Sequence, residues 1–281
     1  MRIILYPSLQ EIYKSNHKIL SVVTGAAKKS GRGLKEAKTP IYNEAKSINL
    51  PVIELDGFND DLVEKLNKLN ADIFIVVAYK ILPKKIFSIP KYGSINLHAS
   101  LLPNYRGSAP IHHAILNGDI ETGITTFRIN AKVDTGEVYL QEKHNIPVDS
   151  TTGMLWETLS FAGGKLLLKT IDGIESNSLL PIKQNFGAFK TAPKLTKKMF
   201  LIDWSNSSAD IHNKIRAFSP KPGAFTYLGK TRIKLFGSKL TITSNLKPGS
   251  CSFDDSLFLI GTGLGDLSIS EVHDEGKKRM K

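Results

Sequence analysis

A chain of 281 residues with 41% apolar side chains holds enough material for one large or two ordinary domains, each with a core. No window approaches 18 consecutive apolar residues and the opening MRIILY is too short for a signal h-region, so secretion and membrane insertion are not expected and a cytoplasmic protein is. A single cysteine, Cys251, excludes an intramolecular disulfide and a cysteine-based zinc site, while a formal net charge of +12 favours a polyanionic partner, although a lysine-rich solubilising surface gives the same charge.

In chain order, RIILY reads as a strand, SLQEIYKS as a helix and ILSVVT as a second strand. A basic cluster follows in GAAKKSGRGLKEAKT, where Lys28, Lys29, Arg32, Lys35 and Lys38 meet only Glu36. Leu62, Val63, Leu66 and Leu69 recur at helical spacing, and DIFIVVA is an almost wholly apolar, β-branched run of the kind that is covered on both faces. KKIFSIP and SINLHA continue the alternation, which predicts βαβ units and a doubly wound, mostly parallel sheet. No G-x-G-x-x-G follows the first strand, and GTGLGD at 261–266 lacks a surrounding βαβ unit, so dinucleotide binding is not expected.

PIHHAIL is predicted as a short helix that Pro110 starts and Gly118 stops. Its His112 and His113 project about 100° apart, too far round to share a metal, and are expected on the helix surface or a cleft rim. GITTFRI and EVYLQEKHNI are strands flanking NAKVDTG. A long helix then carries Met154, Leu155, Leu159, Ala162 and Leu166 on one side and closes a first domain, residues 1–182. Residues 183–199 lack periodicity and read as a surface linker. In residues 200–281 the helix SSADIHNKIRAF precedes GAFTYL, TRIKLF, LTIT, SLFLIG and LSISEV, short strands whose spacing suggests a small barrel. Residues 183–281 hold 17 Lys and Arg against 8 Asp and Glu, nine of the chain's net +12. Either basic cluster alone suits a solvated face equally well; two together favour RNA or DNA.

Polar chemistry concentrates in SINLHASLLPNYRGSAP. Side chains alternate along a strand, so Ile95 and Leu97 face one way while Asn96 and His98 share the other, near the carboxyl end where open α/β sheets bind ligands. A carboxamide N–H suits an oxyanion hole, where one lost donor costs about 3–4 kcal/mol. An imidazole can donate to the same oxygen or move protons near neutral pH, and a carboxylate would orient it. Asp134, in the VDTG turn, is the candidate carboxylate. Each residue alone also fits a structural role at a strand end or a turn; together they suit acyl-group transfer.

The stretches VVAYKILP at 76–83, INLHASLLPNYRGSAPI at 95–111, NGDIETGITTF at 117–127, VDTGEV at 133–138, APKLTKKMFLIDW at 192–204, IRAFSPKPGAF at 215–225 and GKKRM at 276–280 resemble the methionyl-tRNA formyltransferases almost from end to end. The resemblance implies a formyltransferase-like Rossmann variant followed by a smaller OB-like β-barrel, with 10-formyltetrahydrofolate as formyl donor and methionyl-initiator tRNA as acceptor. It further implies catalytic roles for Asn96, His98 and Asp134, and a folate site at Ser100, Leu101, Leu102 and Pro103 with Tyr79, Ile81 and Leu82 around the pterin. By the same resemblance Lys28, Lys29, Arg32 and Lys35 contact tRNA, Arg32 foremost, and neither a metal, a membrane nor an obligate protein partner is expected. One departure stands out: the family's Gly-Thr-Pro-x-Phe turn after the first strand, which shapes the methionyl pocket, is replaced by the shorter YPSLQEIYKSN. Two alternatives stay open, formyl transfer to an amino sugar nucleotide or other small amine, and a non-catalytic RNA-binding homologue.

Overall fold

The computed structural model describes residues 5–30, 35–77, 81–185, 187–241, 246–254 and 257–274. The chain forms two compact units, one of Met1–Arg106, Gly123–Lys143 and Glu157–Phe189, the other of Gly107–Thr122, His144–Trp156 and Lys190–Lys281.

The elements begin with α1 (Leu5–Tyr13), β1 (Val22–Gly25), the hairpin β2 (Lys28–Ser30) and β3 (Lys35–Ala37), α2 (Pro40–Ser47), β4 (Val52–Leu55) and α3 (Asp60–Lys68). Next come β5 (Phe74–Val77), α4 (Lys84–Phe87), β6 (Ser94–His98), β7 (Arg106–Gly107), α5 (Pro110–Leu116), β8 (Glu121–Arg128), β9 (Val138–Asn145) and α6 (Thr152–Glu175). The chain ends with β10 (Thr191–Ala192), a 3-10 turn at Lys197–Phe200, α7 (Ser208–Ala217), β11 (Ala224–Leu228), β12 (Thr231–Leu240), β13 (Cys251–Asp254), β14 (Leu257–Gly261) and β15 (Asp266–Asp274).

Local chemistry explains the helix starts. Thr39 caps α2 by accepting from the Tyr42 N–H, with Pro40 at the first helical position. Asn59 caps α3 in the same way, with Asp60 and Asp61 in its positive first turn and Lys65 and Lys68 in its last. The apolar stripe of α3 buries Leu62 and Leu66 against Ile86 of α4.

The sequence expectation of a mostly parallel sheet is corrected in part. β1 and β4 pair in parallel as a two-stranded sheet, and β5 and β6 pair in parallel within a four-stranded sheet of order β5-β6-β8-β9. β8, however, runs antiparallel to β6. Alternating apolar runs mark strands and helices but do not fix the direction of a return strand. α6 lies close on β6, since a Cβ on Gly163 would sit 2.5 Å from Leu97 Cδ2. Leu155, Leu159 and Leu166 of α6 are buried as expected, but Met154 is 59% exposed because it lies 100° round the helix from Leu155. Leu5 and Tyr6, expected in the first strand, open α1 instead; residues 1–4 lie outside the described residues.

In the second unit α7 starts at Ser207, whose Oγ accepts from the Asp210 N–H, a cap worth about 1 kcal/mol. The core packs Ile211, Ile215 and Phe218 against Leu235, Ile260, Leu267 and Ile269. The sheet is antiparallel in the order β11-β12-β15-β14-β13. TRIKLF and the start of LTIT form one strand through Leu240, irregular around Gly237, and residues 242–245 lie outside the described residues. β13 was not expected from the short polar run CSFD. Among the described residues β11 and β13 lie at the two ends of this sheet without pairing to each other, and β11 is also joined to Leu201 by an isolated parallel bridge at Phe225, so the strands form a C-terminal sheet domain. His113, expected at a surface or rim, is 9% exposed and donates from Nε2 to the Pro193 carbonyl at 3.0 Å, because α5 packs that side inward.

Candidate active site

β6 divides its side chains by parity. Ile95 and Leu97 are buried, the latter under α6, while Asn96 and His98 share the opposite face. Ser94 Oγ, donating to the Phe87 carbonyl at 2.9 Å, anchors the start of the strand. Asn96 lies between Val76 of β5 and Phe127 of β8, and His98 lies opposite Thr125. Among the described residues the Asn96 carboxamide has no hydrogen-bond partner and is half-buried, leaving its donors available to a ligand.

His98 is 7% exposed and edge-on to the Phe127 ring at 6.5 Å. Its Nε2 lies 2.8 Å from the Tyr105 carbonyl. A carbonyl only accepts, so Nε2 carries the hydrogen and a neutral ring leaves Nδ1 as the acceptor. Tyr105 itself has φ 60°, a left-handed conformation uncommon for a bulky residue, and it is 4% exposed, held in place by the packing around it. Nδ1 faces Asp134 Oδ2 at 3.8 Å. That gap is too long for a hydrogen bond, so the two groups face each other across it without direct contact.

The VDTG turn has a physical reason for its residues. Asp134 adopts φ 52°, which Asp tolerates better than most side chains. A Cβ on Gly136 would lie 1.6 Å from the Arg128 carbonyl, so only glycine lets the turn close there.

The SLLP loop is fixed by buried polar contacts. Thr125 Oγ1 donates to the Ser100 carbonyl at 2.6 Å and accepts from the Leu102 N–H and from Gln141 Nε2, which also donates to the Leu102 carbonyl. Ser100 and Leu102 are buried, while Leu101 and Pro103 are half-buried. Leu82 packs beside the Leu62, Leu66 and Ile86 core, and Ile81 is 72% exposed. Tyr79 and Arg32 lie outside the described residues. Lys28 and Lys29 fall on β2 and Lys35 on β3.

Sequence reasoning missed Gln184, in the presumed linker. It is 6% exposed; its Oε1 accepts from Arg106 Nη2 and Nε, and its Nε2 donates to the Asp134 and Gly136 carbonyls. A lone glutamine in an aperiodic segment carries no sequence signal for this. Burial pushes the Arg106 guanidinium below its ordinary range, and the Asp134 charge acts in the opposite sense. A separate cavity of about 430 Å³ is lined by Lys14, His17, Asp172 and Glu175 and contains none of these groups.

A carboxamide on the same strand face as an imidazole, with a carboxylate facing that ring, suits a reaction that builds negative charge on a carbonyl oxygen. The chain belongs to the formyl transferase family: residues 5–171 match its formyl transferase domain and residues 194–281 its C-terminal domain. Among the relatives, the methionyl-tRNA formyltransferase of Alkaliphilus oremlandii (strain OhILAs) is 40% identical over 98% of this chain and 90% of its own length. The N-formyltransferase from Helicobacter canadensis, solved in complex with folinic acid and dTDP-3-aminofucose, is similar with a TM-score of 0.71 at 24% identity, over 96% of each chain. HypX from Aquifex aeolicus in complex with tetrahydrofolic acid has a TM-score of 0.65 at 19% identity over 92% of this chain, which spans 45% of that longer protein. These two likenesses show the shared fold.

Proposed function

We propose that this formyltransferase moves a formyl group from 10-formyltetrahydrofolate to the α-amino group of methionine on initiator tRNA, in the cytoplasm. The observation that carries the chemistry is the meeting of Asn96, His98 and Asp134 in one compact unit, with Nε2 of His98 already engaged. The full-length relationship to a methionyl-tRNA formyltransferase supports the acceptor.

In this reading the unprotonated amine attacks the formyl carbon. Asn96 and protonated His98 hold the developing oxyanion, and Asp134 stabilises the imidazolium. Collapse breaks the bond to the folate nitrogen, which takes the Nδ1 proton of His98 as it leaves, and the attacking nitrogen then returns its extra proton to Nδ1 directly or through a water, leaving a neutral amide and a protonated ring as at the start. The loop at Ser100, Leu101, Leu102 and Pro103 borders the folate, its backbone rather than the buried Ser100 and Leu102 side chains supplying the contact, with Tyr79, Ile81 and Leu82 towards the pterin. Lys28, Lys29, Arg32 and Lys35 meet tRNA phosphates. Residues 1–182 act as the catalytic domain, 183–199 as the connection, and 200–281 as an OB-like barrel turned towards tRNA; the nine-residue basic excess after residue 182 supports that assignment.

The decisive experiment offers formyl-labelled folate to charged initiator tRNA and, separately, to a dTDP-amino sugar. Label on tRNA alone is expected. Label on the sugar alone would replace the acceptor, and label on neither, with salt-sensitive tRNA binding retained, would leave an RNA-binding homologue. In the same assay, neutralising Lys28, Lys29 and Arg32 should weaken tRNA binding and flatten its salt dependence; an unchanged slope removes that hairpin from the interface.

A further inference from the structure

The stretch after α6 does not run free of the sheet. Ile182 and Val138 exchange both backbone hydrogen bonds at 2.8 Å as an antiparallel bridge. Two residues further along that register Gln184 comes opposite Gly136, and there a side chain takes over from the backbone. Gln184 Nε2 donates to the Gly136 carbonyl at 2.7 Å and to the Asp134 carbonyl at 3.0 Å. Its Oε1 accepts from Arg106 Nη2 at 2.6 Å and Nε at 3.2 Å. Both amide donors and both oxygen lone pairs are therefore used, and a flipped amide would set donors against donors and acceptors against carbonyls. The orientation is unique.

Arg106 is held on its other side by the Phe189 ring, 4.6 Å from the guanidinium carbon. It directly follows Tyr105, whose carbonyl holds His98 Nε2. One buried amide thus joins the turn that presents the Asp134 carboxylate to the turn that fixes the imidazole. We infer that Gln184 is a positioning residue which sets the separation of His98 and Asp134 by tying the Asp134–Gly136 turn to Arg106. This rests on the catalytic reading of Asp134 given above.

The test uses the full chain with formyl-donor folate and charged initiator tRNA. Gln184→Met keeps the volume and deletes all four hydrogen bonds; Gln184→Glu keeps the Arg106 contacts but sets an acceptor against the two carbonyls. Both should lower kcat about 10- to 30-fold, since small misplacements near a reacting centre cost up to about 100-fold. KM for each substrate should stay within about twofold, and the acid limb of the kcat profile should move. In an Asp134→Asn background, Gln184→Met should add less than about twofold, because its effect runs through that carboxylate. Full activity with an unchanged profile in Gln184→Met, or a full multiplicative loss in the double variant, overturns the inference. A normal rate in Asp134→Asn alone refutes the reading beneath it instead. Should Gln184→Met lose its cooperative melt, the same criteria apply to Gln184→Glu.

Discussion

The surroundings of β6 and the C-terminal sheet are specified by different forces. Around β6, Ser100, Thr125, Gln141, Gln184 and Arg106 form a set of directional hydrogen bonds, and two non-glycine residues, Tyr105 and Asp134, sit in left-handed backbone. Beneath the sheet, α7 contributes Ile211 and Ile215, followed by Phe218, against Leu235 and Leu267, all 1% exposed or less, and apolar contact does the work. Directional bonds place atoms to within tenths of an ångström but tolerate little substitution; apolar contact supplies stability and tolerates repacking. The lesson is that variants in the first region should alter rate before stability, and in the second stability before rate.

The strongest break in that contrast is Phe218→Ala. Phe218 is fully buried and meets Phe200 edge-on at 4.8 Å, so the variant should lose about 3–5 kcal/mol of stability in denaturant melts. A loss under 1 kcal/mol would show that the sheet is not core-driven.

A pH experiment sharpens the comparison inside the second unit. Burial, with the neighbouring His113 charge, pushes His112 down to about 4. The folded value is lower than the unfolded one near 6.5, so the unfolded chain binds more protons between them. The associated stability is present above pH 6.5 and is lost as pH falls towards 4, by at most about 3 kcal/mol. His112→Gln should flatten the fall in melting temperature across that window; an identical slope in both proteins would dismiss His112 as its source.

The complementary break is His98→Ala, which should lower kcat by about 100-fold, equivalent to about 2.7 kcal/mol, with tRNA affinity unchanged. Its melting temperature should fall less than that of Phe218→Ala. Wild-type turnover in this variant would remove His98 from the chemistry.

What could be read from sequence follows the same division. Asn96 and His98 were legible because a period of two needs only local geometry, and Asp134 because Asp-Thr-Gly has the residues a tight turn demands. The helix over Asp60–Lys68 was legible from the spacing of Leu62, Val63, Leu66 and Leu69, and the one over Ser208–Ala217 was expected in SSADIHNKIRAF, while their caps at Asn59 and Ser207 came from the structure. Gln184 was not, since its importance comes from a partner 78 residues away, Arg106, and from carbonyls that any residue possesses. The antiparallel direction of β8 and the inward turn of His113 depend on tertiary packing, which local pattern does not encode. Cys251–Asp254 is a strand only because β14 lies beside it.

Five residues from Ser94 to His98 are two interleaved messages, one addressed to α6 and one to the face where the proposed reaction takes place. Inserting or deleting a single residue ahead of Asn96 would exchange the addressees, driving an amide and an imidazole into the helix interface and offering aliphatic groups to the substrate. Frame along this short strand is therefore shared by folding and the proposed chemistry, and an indel there is expected to forfeit both at once where a point substitution forfeits one.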